Sequence, residues 1–576
     1  MYCPECGNKI EEGARFCSEC GTKIEQQQVA SPTAPDNENS SSDKKRDYFA
    51  SCIIFTNITL LSASLKTTPN EVKELINQFI EFRKSSGLLY KLVDVGNYTY
   101  HKSSFFSSSK KVSLTAENSL WDYMDILMDV HNNEKTESQY LFIIGGNDVI
   151  PMPCVKHYIP NDKHDDSIDT DILYAYPYGS QMLPLLENQK IFQEEQLFFV
   201  GRLPFGTDAT INDLCNYLQR DIDCAGGVPY TEAYGQCDPN WKNVSTKVAQ
   251  RIVSQMRNFD GRLSDEYYYN RIILSPMVDD GNVTQIFNTN ASLYYFNLHG
   301  GNAIKVRGYA GAPRGECRTR MVIQPEHIAT AAQPNIVVCE ACYGARFIGL
   351  DKHHSMLLSS IHSKTMTFLG SSRVAWGCVD SPSTTPQNAL ISNADIMANR
   401  FVSALLDGYT TGQAMFIARS EILKNSKAGN LHSALTIVEF NLFGDPLVYM
   451  NVNNNKSASK LKQIKSTPFL PKDEHIGCDI EVVSNKEEAN DSILARVRSA
   501  VDANIAQIHD TIGNHLYKNF GLTPRPAESV FKIRYSDGCE EYNFKYKSND
   551  NDSETEMYYL VTATDDGKIK EINASK

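Results

Sequence analysis

The chain has no apolar run approaching the ~20 residues that a membrane-spanning helix requires, so a bilayer-embedded role is not expected. It is also short of positive charge. Against 69 Asp and Glu it carries 56 Lys and Arg, a formal net charge of −13, which argues against nucleic acid as a partner of the whole chain. Its first residues, MYCPECGNKI, lack a basic n-region followed by an apolar h-region, so no secretory signal is read. Nor is there a disulfide framework: the 15 cysteines are odd in number and irregular in spacing. They are expected to be reduced thiols or metal ligands in a cytoplasmic protein. What is present is ordinary globular material, 41% apolar and 22% charged, in a chain of 576 residues that implies three or four units.

The first unit announces itself through cysteine spacing. Cys3, Cys6, Cys17 and Cys20 form two C-x2-C pairs, each followed by a glycine (Gly7, Gly21) that permits a tight knuckle. Four thiolates on such knuckles suit one tetrahedral Zn2+. A segment this short buries no core of its own, so the metal would supply its folding free energy. With all four positions filled by cysteine, a structural or docking zinc ribbon (1–24) is expected; an iron–sulfur or redox role is a minor reading. Residues 25–47 are polar and rich in Ser, Pro and Asn, as a flexible linker is. They end in DKKRD, a solvated linker end or a protease-sensitive site.

From about residue 48 short apolar runs alternate with helix-period segments, the pattern of a doubly wound α/β sheet. Strands are expected at 51–57, 90–95, 140–146, 271–276, 292–301, 335–342 and 366–372. Helices are expected at 69–86, 117–132, 245–256 and, as one long pattern, 392–425. In open α/β sheets functional groups collect at the carboxyl ends of strands. His299 in SLYYFNLHGG and Cys342 in NIVVCEACYGARF both sit at such ends. A thiol and an imidazole on neighbouring strand ends are what a thiol protease needs, with Gly300 and the Cys342 amide as natural oxyanion donors. Cys339, inside its strand, reads as core, and a thioredoxin-like use of Cys339 and Cys342 is a weak competitor.

At these residues the chain resembles the gingipain-type cysteine peptidases, relatives of caspases. LFIIGGNDVIPMP is similar to that family's G-D-x-x-x-I-P segment (Gly146, Asp148, Ile150, Pro151), with an Asn inserted before the Asp. DTDILYAYPYG resembles its Ser-Asp-x-x-Tyr stretch, with Thr170, Asp171 and Tyr174. FFVGRLPFGT, the His-Gly and Ala-Cys-x-x-G signatures, and FNLFGDPLVYM follow in the family's order, over roughly 48–452. The resemblance implies a caspase-like fold in two subdomains, an N-terminal one at 48–215 and a catalytic one at 216–452. It implies a His299–Cys342 dyad, and it places Trp376, in SSRVAWGCVDSP, on the primary specificity pocket. Asp148, Asp171, Arg202 and Asp445 are expected to hold turns and strand ends together. The acidic residue of the arginine-cleaving members has no clear counterpart; Asp238 lies in about the right region. Arg307, Arg314, Arg318 and Arg320 would equally suit an acidic substrate side chain.

A second polar linker (453–473) leads to the remainder, 474–576. A long amphipathic helix at 491–517, with Ile493, Val497, Val501, Ile505 and Ile508 on one stripe, precedes three or four antiparallel strands with turns at Asp537-Gly538 and Asp566-Gly567. This is read as a small α+β domain for protein binding. The whole is expected to be a cytoplasmic cysteine endopeptidase acting on protein or peptide, regulated by its flanking modules and their protein partners or by self-cleavage. A catalytically silent caspase-like scaffold is the second reading.

Overall fold

The computed structural model describes residues 50–101, 111–113, 120–134, 139–156, 167–253, 268–269, 272–274, 287, 290–301, 307–312, 319–426, 430–452, 464–472, 478–485, 503–520, 527–535, 538–547, 558–564 and 566–576. The zinc-ribbon and first-linker expectations therefore lie outside the described residues. By its contacts the chain divides into two units, Met1–Asp47 and Tyr48–Lys576, and the described residues all belong to the second.

Eleven strands form one sheet. In chain order they are β1 (Ala50–Thr56), β2 (Leu88–Asp94), β3 (Tyr140–Ile144), β4 (Phe199–Leu203), β5 (Glu232–Cys237), β6 (Tyr268–Tyr269), β7 (Ile272–Leu274), β8 (Ala291–Asn297), β9 (Asn335–Cys339), β10 (Thr365–Ser371) and, after a short β11 (Trp376–Cys378) that belongs elsewhere, β12 (Phe440–Gly444). Their order in space is β6-β7-β5-β8-β9-β10-β12-β4-β3-β1-β2. The β1–β4 half is parallel, and so is the run from β7 to β10. The two meet where β12 lies antiparallel to β10 and parallel to β4. The last strand of the family-like segment is thus the seam between two parallel half-sheets. Strands such as ASLYYFN and NIVVC are buried at every position. This is why they read as continuous apolar runs, since helices cover both faces of a parallel sheet.

The motif residues tie the seam together. Arg202 on β4 is wholly buried and pairs bidentately with Asp171, Nε and Nη2 lying 2.7 and 2.6 Å from its two oxygens. Its Nη1 donates to the carbonyls of Gly145 and Ile150, at 3.0 and 2.8 Å. The Asp171 amide donates to the Asn441 side chain on β12 at 2.9 Å. The inserted Asn147 accepts the Met152 amide at 2.8 Å and so closes the turn it lengthens. Asp445, just past β12, accepts from the Tyr90 hydroxyl at 2.5 Å and the Leu447 amide at 2.8 Å.

Where the long helical pattern was expected, two helices stand, Asn393–Leu406 and Thr411–Lys424. Gly408 takes a positive φ of 87°, and Thr410 and Gln413 form a capping box that starts the second helix.

The C-terminal strands are β13 (Cys478–Asn485), β14 (Ser529–Tyr535), β15 (Glu540–Lys547), β16 (Tyr558–Thr564) and β17 (Ile569–Ser575). They form a meander over which the helix Ala503–Phe520 lays Ile505, Ile508, Ile512 and Leu516. Residues 491–502 of the expected helix lie outside the described residues. This sheet is not self-contained: its order is β11-β17-β16-β15-β14-β13, so its edge strand, β11, comes from the peptidase segment.

Candidate active site

The register of β8 and β9 builds the site. Phe296 pairs with Cys339 at the carboxyl end of the two parallel strands. His299 and Cys342 each lie three residues further on, so both chains leave the sheet side by side. Their backbones touch: a Cβ built on Gly300 would stand 1.8 Å from the Cys342 carbonyl oxygen. Only glycine permits that approach. Tyr343, directly after the cysteine, has a φ of 52°, an unfavourable left-handed conformation for a bulky residue. It turns the chain sharply away at the thiol. An open cleft of about 240 Å³ adjoins Gly300 and Cys342, with Arg307, Gly344 and Arg346 on its wall.

His299 is locked through its backbone by paired bonds to Ala310, both 2.8 Å. Its ring lies 4.4 Å from that of Trp241. Nε2 stands 3.9 Å from an Asp238 carboxylate oxygen and has no hydrogen-bond partner among the described residues. Burial holds the imidazole pKa below its ordinary 6.5, an effect the Asp238 carboxylate offsets in part. The ring is therefore neutral at pH 7 and able to accept a proton. Asp238 is itself fixed by the amides of Asn240 (2.8 Å) and Ala312 (2.6 Å). Asp238→Asn loses one of these bonds and the charge facing His299. The acid limb of the pH–rate profile should then move to lower pH, a direction a merely structural loss would not produce.

The Cys342 thiol lies 3.6 Å from the Ala375 carbonyl, and its side chain is buried. Its amide donates to the carbonyl of Lys576, the last residue of the sequence, at 2.6 Å. The Lys576 amide donates to Ala375 at 3.0 Å. The Lys576 ammonium contacts the carboxylates of Glu340 and Asp395, all three side chains fully buried, and lies 5.5 Å from the Trp241 ring.

The structure thus brings together His299, Gly300 and Cys342 of the expected site residues. Trp376 is near only through its backbone: Ala375, the residue before it, receives the Cys342 thiol, while the indole packs edge-on to His432 at 6.3 Å. The indole beside the lysine ammonium is that of Trp241. Arg307 lines the open cleft; Arg314 and Arg318 lie outside the described residues, as do Cys3, Cys6, Cys17 and Cys20. Cys339 is fully buried, and burial pushes its thiol up to about 12. Glu340, Asp395, Trp241 and Lys576 do not stand out in the sequence. One signal was available: Glu340 is a charge set between two cysteines at the end of an otherwise apolar strand.

A thiol and a neutral imidazole on segments that leave adjacent strand ends, with the nucleophile's own amide engaging a main-chain oxygen, are the parts a thiol-dependent acyl-transfer enzyme needs. The chain belongs to peptidase family C25, whose model matches residues 63–451; it is a cysteine-type peptidase by family. A zinc-ribbon domain model matches residues 2–24. Among solved structures it is similar to the Arg-specific cysteine proteinase gingipain R, at 11% identity and a TM-score of 0.43, covering 93% of this chain and 99% of that one. It is also similar to the complex of Porphyromonas gingivalis RgpB pro- and mature domains (12%, 0.44, 91% and 99%). A Saccharomyces cerevisiae separase–securin complex matches more weakly (11%, 0.27, 45% and 14%). No curated protein matches.

Proposed function

We propose that this chain is an endopeptidase that cuts peptide bonds through Cys342 and His299. The observation that supports the reading is the register of β8 and β9: each residue follows the Phe296–Cys339 pair by three positions, and the Cys342 amide already holds a main-chain oxygen. Neutral His299 takes the thiol proton as Sγ attacks the scissile carbonyl. The Cys342 amide, with Gly300 beside it, receives the negative charge that develops on oxygen. A thioester forms as the C–N bond breaks, and the proton passes from His299 to the leaving amine. Water, deprotonated by His299, then attacks the thioester, releasing a carboxylate and restoring the thiol.

The four ribbon cysteines form a closed donor set suited to one structural Zn2+. Metal analysis should find one zinc per chain, lost in Cys3→Ser/Cys6→Ser. The ribbon is the surface offered to a regulatory protein. A reducing, cytoplasmic setting is supported by the odd number and irregular spacing of the 15 cysteines.

A second reading, a silent scaffold, is favoured by one observation: on the β11 side of Cys342 the chain's own Asn573–Lys576 takes the place a peptide would need. The deciding experiment incubates the zinc-loaded full chain and its Cys342→Ala variant with a diverse peptide mixture and identifies products by mass spectrometry. Cuts present only with the thiol support the peptidase. No cuts, together with no labelling of Cys342 by a peptidyl acyloxymethyl ketone, would leave the scaffold.

A further inference from the structure

We propose that Asn573–Lys576 is an intramolecular substrate mimic that occupies the acyl side of the peptide site along β11, its lysine side chain seated in a pocket whose carboxylates, Glu340 and Asp395, select lysine on the acyl side of the cut bond. The inference rests on the peptidase reading above and adds to it both a specificity and a restraint.

The backbone argument comes first. The end of β17 pairs antiparallel with β11, Trp376 opposite Ser575, Gly377 opposite Ala574 and Cys378 opposite Asn573. An extended peptide added to a sheet edge is a general mode of peptide recognition, in which main-chain bonds give affinity and pockets give specificity. The strand runs directly to the thiol: the Lys576 amide bonds Ala375, and its carbonyl oxygen receives the Cys342 amide. An oxygen held by the nucleophile's own amide stands where the developing charge of a scissile carbonyl would be received.

The pocket is the second argument. The lysine stem passes over Gly377, where an added Cβ would stand 2.3 Å from Lys576 Cε. At the bottom the ammonium meets Glu340, at the end of β9, and Asp395, in the first turn of the helix Asn393–Leu406. Each carboxylate is held from behind. Glu340 accepts the Tyr295 hydroxyl at 2.7 Å, and Asp395 accepts the Cys378 amide at 2.7 Å and the Ser392 amide at 3.1 Å. Two carboxylates converging from separate elements on one enclosed point suit a compact ammonium rather than the planar fork of a guanidinium.

Charge explains why the pocket prefers to be filled. Two buried carboxylates without a counter-ion are strongly unfavourable. Burial raises the Glu340 carboxyl, and the Lys576 ammonium works against that shift. A lysine, whether the chain's own or a substrate's, neutralises the site. Because the tail is tethered, its effective concentration is on the order of millimolar or higher, and incoming peptides must displace it. Displacement requires Asn573–Lys576 to leave β11 and, with it, Asn573 and Ala574 to leave Leu560 and Tyr559 of β16, while Ile569–Ile572 stays paired. On a substrate, Sγ forms the thioester with the lysyl carbonyl as the next residue's amine leaves with the proton from His299, and water then hydrolyses the thioester.

The test uses the full chain and peptides that differ only in the residue before a fluorogenic leaving group: Lys, Arg, Asp or Ala. Lys576→Ala is expected to raise kcat/KM for the lysine peptide at least tenfold over the native chain, with Arg, Asp and Ala peptides cut poorly. Added Asn-Ala-Ser-Lys should inhibit that variant, and Asn-Ala-Ser-Ala should not. Should Lys576→Ala fail to fold, Gly377→Ala serves: it expels the Lys576 side chain and closes the pocket to substrate. Alkylation of Cys342 by iodoacetamide should then accelerate while lysine-peptide cleavage disappears. Equal cleavage by native chain and Lys576→Ala, unchanged alkylation in Gly377→Ala, or preference for another residue would overturn the inference and leave the peptidase reading standing. If no form cuts any peptide and Cys342 takes no peptidyl label, the peptidase reading itself fails.

Discussion

Cys342→Ala is expected to abolish peptide cleavage, and His299→Ala to lower it by about 10⁴-fold or more, as removal of either member of a nucleophile–base pair does. The effect is read most clearly in the Lys576→Ala background, where the cleft is open to substrate. The two losses should not add, because the residues act on the same proton. With either changed, changing the second costs little more. The pH profile distinguishes them from a general loss of fold. In the parent, the rate falls as pH drops through the His299 pKa, which burial places below the ordinary 6.5. Between that value and 6.5 the native imidazole stays neutral where an exposed histidine would already be charged, so activity extends further into mild acid than a solvent-exposed dyad would allow. A lysine in the pocket adds positive charge near the ring and pushes in the same direction.

The proposed dyad is legible in the sequence because its signals are local. NIVVC and ASLYYFN are unbroken apolar runs, as buried parallel strands must be, and the reactive residues follow each run by a few positions. What the sequence does not carry is register. That His299 meets Cys342 depends on Phe296 lying opposite Cys339, a relation set by the packing of helices and loops between them. The specificity pocket is hidden for a stronger form of the same reason. Glu340, Asp395 and Lys576 come from three separated parts of the chain, and each alone has a bland reading. Asp395 is an ordinary capping residue of its helix, and Lys576 an ordinary polar residue. Trp376 draws attention because it stands in a family-like segment, whereas Trp241 follows a turn that Asp238 caps. The C-terminal strands are recognisable from alternation and turn residues, but the pairing of β17 with β11, which joins that sheet to the peptidase, leaves no periodic trace. Of the acidic residues in the motif-bearing turns, Asp238 faces His299 and Asp171 faces Arg202.

Arg202→Met is expected to cost about 3–5 kcal/mol of stability, the range found when one partner of a buried ion pair is removed. The guanidinium is fully enclosed and is the counter-ion of the equally enclosed Asp171 carboxylate. It also satisfies the carbonyls of Gly145 and Ile150, which end β3 and shape the turn beyond it. Methionine fills much of the volume but returns none of these bonds, so the loss is electrostatic and not a matter of packing. Urea unfolding followed by tryptophan fluorescence measures it as a lower midpoint with an unchanged slope. Asp171→Asn should cost less, since the amide oxygen still accepts one guanidinium N–H. Pairing Arg202→Met with Asp171→Leu should recover part of the loss, because no unpaired charge then remains. The recovery matters for function. Arg202 lies on β4 beside the seam strand β12, and Asp171 is bonded to Asn441 on that strand. β12 in turn pairs with β10, the strand next to the one that carries Cys342. A destabilised seam therefore loosens the sheet that sets the dyad in register. Arg202→Met should lose activity in step with its folded fraction, whereas the double variant, with charge balanced and the seam closed, should regain both together.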